Sequence, residues 1–161
     1  MIGLLARLLA SGDTALSEAQ PRDAAAIAKL HGTSFHRGWS DGEIEALLRD
    51  HDVVAQRATA GRSLVGFILS RIVAGEAEIL SVAVAAARRR KGLARRLLEL
   101  HLRRLAGRGA QAVFLEVGED NVAARRLYTR AGFREVGRRG GYYDGPSGRR
   151  AAALVLRRDL V

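Results

Sequence analysis

The amino-acid sequence predicts an α/β sandwich built on a mixed β-sheet. With 161 residues, of which 48% are apolar, the chain is long enough for one domain with its own hydrophobic core. Segments with strand and helix patterns follow one another in the order β-α-α-β-β-β-α-β-α-β-β. The alternation in the second half indicates crossover connections between parallel strands. We expect one domain over residues 14–161, preceded by a short helical extension over residues 1–13.

The first half of the chain contains two predicted helices and four predicted strands. The segment "TALSEA" predicts a short strand, and Pro21 then begins a helix, since proline suits the first helical turn. A second helix is predicted over residues 40–50, where Ser40 is a suitable N-cap and acidic residues occupy the first turn. The strands "VVAQRA" and "SLVGFILSRIV" are joined by the turn "TAGR", and "EAEILSVAV" follows them.

The second half continues with two helices and three strands. Leucines recur at helical spacing from Leu93 to Leu105, and "GRGA" ends this helix before the buried strand "QAVFLEV". The segment "EDNVAARRLYTRAGF" predicts a helix that is capped by Asp120 or Asn121 and ends near Gly132. The strands "FREVGRRGGYY" and "RAAALVLRRDL" form a closing pair around the turn "DGPSGR".

Composition and charge exclude several classes of protein. The absence of cysteine excludes disulfides and thiolate catalysis, and it favours a cytoplasmic location. No apolar run approaches the roughly 20 residues that span a bilayer, so no membrane partner is expected. Residues 1–80 carry a net charge of −2 and residues 81–161 carry +12. The positive second half could bind a polyanion. Because 25 of the 27 basic residues are arginine, genomic base composition explains part of this charge equally well.

A cluster of cations stands where the strand "EAEILSVAV" gives way to the leucine-rich helix. The N-terminus of a helix has unpaired N–H groups and a partial positive charge, and such a site accepts phosphate. Gly92 lets the backbone approach a ligand closely, and neither a P-loop nor a GxGxxG pattern is present. The segment therefore predicts a diphosphate site, with a solvated basic helix start as the alternative. The cations are Arg88, Arg89, Arg90 and Lys91.

Two motifs together resemble the GNAT (Gcn5-related N-acetyltransferase) superfamily. The first fits [Q/R]-x-x-G-x-[G/A], the acyl-CoA pyrophosphate loop of that superfamily. It is formed by Arg89, Arg90, Lys91, Gly92, Leu93 and Ala94. The second, "NVAARRLYTRAGF", matches N-x-x-A-x-x-L-Y-x-x-x-G-F. Several further segments resemble the ribosomal-protein alanine N-acetyltransferases (RimI type) within this superfamily: "LSVAV", "VFLEVGEDN", "RRGGYYDGPSGR" and "FHRGWS".

The resemblance implies a mixed, mostly antiparallel sheet with a splayed pair of parallel strands and helices on both faces. Acetyl-CoA, the expected cosubstrate, would enter the gap between "ILSVAV" and "AVFLEV". The backbone of Val82, Ala83 and Val84 would hydrogen-bond its pantetheine arm and thioester. Asn121 would contact the CoA arm or cap its own helix, and the two roles are compatible.

The resemblance also implies catalytic residues. Glu116 falls on the general base of the group and Tyr128 on its general acid. An amine must lose a proton to attack a thioester, and the departing thiolate must gain one, so both residue types fit the reaction. The N–H of Val82 could hold the tetrahedral oxyanion. The transfer would be direct and would need no metal.

Three aromatic residues are candidates for the acceptor side of the site. In the group that the chain resembles, a loop and a strand hairpin lie on the acceptor side of the site. Trp39 matches that loop, and Tyr142 and Tyr143 match the hairpin that covers the acceptor peptide. Packing within the domain is the alternative for all three. The four histidines show no metal-ligand spacing, and we expect them to be structural or exposed.

The function predicted from these residues is acetyl transfer from acetyl-CoA to the N-terminal α-amine of a protein or peptide, with a ribosomal protein as one candidate. A second interpretation changes the acceptor to a lysine side chain, a polyamine or a small amine. A third is a basic module that binds nucleic acid or ribosomes without catalysis. Few aromatic residues and no RNA-binding signature speak against the third, and no DNA partner is expected.

Overall fold

The computed structural model describes residues 14–35, 37–144 and 150–161. The side chains of residues 142–144 and 150 are outside this description. The predicted extension over residues 1–13, His36 and most of the turn "DGPSGR" also lie outside the described residues.

Seven strands form a single sheet. They are β1 (Ala15–Glu18), β2 (Val53–Ala60), β3 (Ser63–Val73), β4 (Glu76–Val84), β5 (Ala112–Gly118), β6 (Arg134–Asp144) and β7 (Arg150–Asp159). Their order across the sheet is β1-β2-β3-β4-β5-β7-β6. The β4–β5 pair is parallel and the other five pairs are antiparallel, which confirms the predicted mixed, mostly antiparallel sheet.

The α-helices of the described residues are α1 (Ala24–Ser34), α2 (Asp41–Arg49), α3 (Leu93–Gly107) and α4 (Val122–Arg130). Ser40 caps α2 as predicted: its Oγ accepts from the N–H of Glu43 at 3.1 Å, and the Glu43 carboxylate accepts from the N–H of Ser40 at 2.9 Å. Among the residues that the structure covers, no helix has the length and apolarity that crossing a membrane requires.

Helices cover both faces of the sheet, as predicted. Leu97 and Leu98 of α3 are buried against the face that carries Ile68, Val113 and Leu115. The helices α1 and α2 pack on the opposite face, together with Phe67, Leu69 and Ala83. Full burial of each large apolar side chain contributes about 1.5–3 kcal/mol to stability.

The backbone of β3 lies close to α3 at Gly66. A Cβ atom at this position would lie 3.0 Å from Cδ1 of Leu97, which itself is fully buried. Glycine therefore permits the helix to approach the centre of the sheet.

The sheet divides between β4 and β5. Only Glu76–Glu78 of β4 pair with Ala112–Phe114 of β5, although both strands continue beyond these residues. The pairing of β4 with β3 shifts by one residue at Leu80, because Ile79 lies opposite Ser70 and Ser81 lies opposite Leu69. A bulge of this kind bends its strand. It occurs close to the point where β4 leaves β5, and the predicted splayed pair is thereby confirmed.

Candidate active site

A cavity of about 1080 Å³ lies at the division between β4 and β5. Its walls are the end of β4, the loop that follows β4, the first turns of α3 and the inner face of α4. A space of this size slightly exceeds the usual range for small-molecule sites. The predicted site residues in its walls are Val82, Ala83, Val84, Arg89, Arg90, Gly92, Leu93, Ala94 and Tyr128.

The end of β4 presents unpaired backbone groups to this cavity. The N–H of Ala85 donates to the carbonyl of Val65 at 2.8 Å. Hydrogen-bonded and non-bonded pairs alternate along an antiparallel ladder, so Ala83 exchanges backbone hydrogen bonds with Phe67. The backbone N–H and carbonyl groups of Val82 and Val84 consequently point away from β3. Nε of Arg89 donates to the carbonyl of Val84 at 3.1 Å, which agrees with this direction. Of the three predicted residues, Val82 therefore offers its N–H and its carbonyl to a ligand, and Val84 offers its N–H, since its carbonyl accepts from Arg89.

The loop between β4 and α3 turns sharply twice. Arg90 has φ +61° and Gly92 has φ +78°, both in the left-handed region. Gly92 is the N-cap of α3 and provides no side-chain cap, and the first intrahelical bond runs from the N–H of Arg96 to its carbonyl. The N–H groups of the first three helical residues, Leu93 to Arg95, consequently face the loop without an intrahelical partner.

The charge of the cavity walls is strongly positive. One carboxylate, Glu99, is present, and it lies 3.2 Å from Nε of Arg95. The arginines in the walls are Arg88, Arg89, Arg90, Arg95, Arg126, Arg130 and Arg158. A ligand that carries several negative charges would reduce the mutual repulsion of these guanidinium groups.

Tyr128 lies in the wall formed by α4. Its side chain is largely buried, with 4% of the residue exposed, and its ring makes an edge contact with Phe133 at 5.5 Å between centroids. Burial raises the pKa of Tyr128 to about 12. The hydroxyl therefore keeps its proton at neutral pH and is available as a hydrogen-bond donor.

Glu116 lies outside the walls of this cavity. Its neighbours Leu115 and Val117 are buried against α3 and α4, so strand alternation directs Glu116 to the opposite face of the sheet. The side chain is 31% exposed, and its Oε1 lies 3.2 Å from Nη1 of Arg139 on β6. The two predicted catalytic residues thus approach the division of the sheet from opposite faces.

Trp39 packs within the domain. Its ring stacks on His31 with centroids 4.6 Å apart, and Phe35 stacks on His31 at 4.4 Å. The backbone N–H of Trp39 donates to Nδ1 of His31 at 3.2 Å, and burial lowers the pKa of that histidine. These contacts show that Trp39 packs against His31, and its contact with an acceptor peptide stays a prediction. Tyr142 and Tyr143 lie on β6, where Tyr143 is opposite Ala151.

Two predicted cofactor residues are absent from the cavity walls. Asn121 caps α4, because its Oδ1 accepts from the N–H of Ala124 at 3.2 Å. Lys91 is exposed in the loop that precedes Gly92. The capping alternative for Asn121 is therefore observed, and a contact with the CoA arm stays a prediction.

Sequence reasoning missed three features of the site. Arg126 and Arg130 form part of the cavity wall that α4 contributes, and their spacing of four residues in the second motif was the available signal. Arg158 reaches the cavity from β7, where it also donates to the carbonyl of Ala131 at 2.6 Å. The contact between Arg139 and Glu116 had no sequence signal, since the two residues lie on strands that are not adjacent.

The histidines divide into buried and exposed groups. His31 and His101 are buried, and His51 is exposed. Asp50, His51 and Asp52 place possible metal-ligand atoms within 4.8 Å of one another at the surface, the one such grouping in the described part of the chain. The expectation that no metal takes part stays a prediction.

Residues 24–133 match the family described as "Acetyltransferase (GNAT) family". The [ribosomal protein bS18]-alanine N-acetyltransferase of Haemophilus influenzae is 37% identical over 93 residues, which cover 58% of this chain and 63% of that protein. The corresponding enzyme of Escherichia coli K12 is 35% identical over 97 residues, which cover 60% and 66% of the two chains. The chain therefore spans slightly less than two thirds of the length of these curated relatives.

Solved structures resemble the chain over most of its length. The ribosomal-protein-S18-alanine N-acetyltransferase of Escherichia coli superposes with a TM-score of 0.84 at 26% identity, covering 92% of this chain and 94% of that one. NAA60 of Arabidopsis thaliana in complex with acetyl-CoA superposes with a TM-score of 0.80 at 20% identity, covering 91% and 98%. The second likeness is evidence for the fold alone.

Proposed function

The chain belongs to the GNAT acetyltransferase family, and from this premise we propose that it transfers an acetyl group from acetyl-CoA to the N-terminal α-amine of a protein. The observation that carries the proposal is the arginine-lined cavity at the division between β4 and β5. The curated relatives named as bS18-alanine N-acetyltransferases favour a ribosomal protein as acceptor. Such an acceptor would place the reaction in the cytoplasm.

The charge of the cavity walls gives the direction in which we place acetyl-CoA. Its diphosphate would lie at the N-terminus of α3, where unpaired N–H groups and the cations around Gly92 converge. Its pantetheine arm would extend between the strands and pair with the backbone of Val82 and Val84 as a strand would. The thioester would then lie beside β4 and close to α4.

The reaction forms a C–N bond and breaks the C–S bond of the thioester. The neutral amine attacks the carbonyl carbon, and the N–H of Val82 would stabilise the oxyanion of the tetrahedral intermediate. When the intermediate collapses, the acetyl group stays on nitrogen and CoA departs as a thiolate. The proton that the nitrogen loses would go to Glu116. The sulfur would gain a proton from Tyr128.

Tyr128 would assist the departure of the thiolate. A phenol with a pKa of about 12 is a weaker acid than a thiol, whose usual pKa is about 8.5. Its main contribution is therefore a hydrogen bond to the sulfur as negative charge develops there. A proton that Tyr128 gives to the sulfur is replaced later from solvent or from the protonated base.

Glu116 would accept the proton of the attacking amine, directly or through a water molecule. Its position on the face opposite α3 and α4 separates the acceptor from the bulk of the cofactor. Arg139 holds the carboxylate in place by the 3.2 Å contact, and an approaching ammonium group would be attracted to the same carboxylate. Trp39, Tyr142 and Tyr143 remain predicted contacts of the acceptor peptide.

A small-molecule amine is the second candidate acceptor. The mycothiol acetyltransferase of Clavibacter michiganensis is 38% identical over 98 residues, although these cover 29% of that protein. The name of this relative refers to mycothiol and not to a protein.

A paired-peptide assay separates the two candidates. One peptide has a free N-terminal alanine and no lysine, and the second has the same sequence with a blocked N-terminus and one added lysine. We expect CoA release and a mass increase of one acetyl group with the first peptide only. Acetylation of the second peptide alone would move the acceptor to side chains, and turnover with neither peptide but with small amines would favour the second candidate.

A further inference from the structure

Arg139 lies on the same face of the sheet as Glu116, although β7 separates their strands. Glu116 is opposite Val155 on β7, and Val155 is opposite Gly137 on β6. Side chains at paired positions share a face of the sheet, and so do residues two apart along one strand. The side chain of Arg139 therefore faces the acceptor side of the sheet, as that of Glu116 does, and not the side of the cofactor cavity.

The guanidinium group of Arg139 reaches across β7 to the carboxylate of Glu116. Neighbouring strands are about 4.8 Å apart, so the backbones of β5 and β6 are separated by about 10 Å. Gly137, and Ala153 opposite Arg139, are small and leave room above the sheet for the long arginine side chain. The resulting contact joins Nη1 of Arg139 to Oε1 of Glu116 at 3.2 Å. A cation is thereby held beside the predicted general base.

The contact with Glu116 uses only part of this guanidinium group. A guanidinium has several N–H donors in a planar fork, and the contact with the carboxylate is made by Nη1. The side chain of Arg139 is 64% exposed, so further N–H groups are accessible to a ligand that approaches Glu116. Such a ligand would meet a hydrogen-bond acceptor and a hydrogen-bond donor side by side.

The path of β6 changes directly after Arg139. The regular pairing of β6 with β7 is interrupted there, because Tyr143, four residues further along β6, is opposite a residue only two positions away on β7. Gly141 has φ +75° within this bulge, a value that glycine adopts readily. Bulges redirect side chains and are frequent beside active sites. Arg139 is thus the last residue of β6 in regular register before the tyrosines that are predicted to contact the acceptor peptide.

The N-terminal residue of a protein offers the group that these donors require. Its carbonyl carbon is bonded to the same Cα atom as the amine, so an amine placed at Glu116 brings its own carbonyl oxygen close to Arg139. The ε-amine of lysine and simple alkyl amines are flanked by methylene groups and have no such oxygen. A hydrogen bond from a guanidinium to this carbonyl therefore distinguishes an α-amine from other amines.

We propose that Arg139 determines acceptor specificity by donating to the carbonyl oxygen of the acceptor's first residue while Glu116 receives the amine. The inference rests on the proposed function, because it concerns the acceptor of the same reaction. It adds the chemical class of that acceptor, which is an amine with an amide carbonyl on the adjacent carbon. A hydrogen bond from a charged donor to this carbonyl gives a preference of at least about tenfold.

The test is a double-mutant cycle between Arg139 and the acceptor carbonyl. One peptide begins with alanine, and in the second an (E)-alkene replaces the first peptide bond, which keeps the shape of the chain and removes the carbonyl. Calorimetry measures the dissociation constant of each peptide for the protein saturated with CoA, so the readout does not depend on turnover.

The proteins compared are wild type, R139M and the matched control R138M. Arg138 is the neighbouring residue on β6, but it lies opposite Leu154 and contacts Glu119 at 2.8 Å on the other face of the sheet. Methionine keeps an unbranched apolar stem and has no N–H donor. Both arginines are exposed, so neither substitution should unfold the protein.

We expect wild type and R138M to bind the alanine peptide at least about tenfold more tightly than the alkene peptide. R139M should bind the two peptides with nearly equal affinity, and any loss that it causes through Glu116 cancels in this ratio. The same preference in all three proteins would overturn the inference, because Arg139 would then act on Glu116 alone. Equal binding of both peptides by wild type also refutes this inference alone, whereas wild type that binds CoA but neither peptide refutes the proposed peptide acceptor as well.

Discussion

The buried imidazole of His101 should make the protein sensitive to acid. Its ring is fully buried between α3 and the sheet, where Nε2 lies 2.6 Å from Oγ of Ser70 and Nδ1 contacts Oε1 of Gln56. An amide oxygen only accepts, so Nδ1 carries the proton and Nε2 accepts from the hydroxyl of Ser70. Burial lowers the pKa of His101 to about 3.

The sign and size of the effect follow from this pKa. In the unfolded chain a histidine has a pKa of 6.5, so as pH falls the unfolded state binds the proton first. The contribution of neutral, buried His101 to the free energy of unfolding is fully present above pH 6.5. It is lost progressively as pH falls from there toward 3. The gap between the two pKa values corresponds to about 5 kcal/mol in total, of which about 2 kcal/mol is lost by pH 5.

Urea denaturation at a series of pH values between 7.5 and 4.5 measures this loss. The comparison is between wild type, H101Q and H51Q, since His51 is exposed and serves as the matched control. The free energy of unfolding of H101Q should fall less steeply with pH, by up to about 1.4 kcal/mol per pH unit, while H51Q follows wild type. Parallel curves for wild type and H101Q would refute the reasoning.

Three further substitutions test the site and the packing behind it. Tyr128→Phe should lower kcat by about 100-fold with little change in the binding of acetyl-CoA, because only the hydrogen bond to sulfur is lost. An unchanged turnover rate would show that Tyr128 does not assist the departure of the thiolate. Glu116→Gln should abolish the low-pH limb of the kcat/KM profile, and a limb that persists would assign the base to another group. Gly66→Ala should lower the free energy of unfolding by about 1–2 kcal/mol, because its Cβ would press on Leu97, and thermal unfolding at or above the wild-type midpoint would contradict that contact.

The regular elements were predictable because their signals are local. The alternation in "EAEILSVAV" matches β4, and Ser40 with Glu43 forms the capping box that its sequence spacing indicates. The bulge at Leu80 was not predictable, since neither glycine nor proline marks it and it depends on the pairing with β3.

The cofactor side of the site was more predictable than the acceptor side. Arg89, Arg90 and Tyr128 belong to contiguous motifs, and the structure brings them to one cavity. The contact of Glu116 with Arg139 depends on β7 lying between their strands, an order that sequence spacing does not specify. Arg126 and Arg130 were not among the predicted site residues, because a spacing of four residues does not show that α4 packs beside a cavity.

A crystal structure of the protein with coenzyme A tests the central claim most directly. We predict that the pantetheine arm lies between β4 and β5, and that oxygen atoms of the diphosphate lie about 2.7–3.2 Å from the backbone nitrogens of Leu93 and Ala94. Coenzyme A bound elsewhere on the molecule, with the space between the two strands closed, would contradict it.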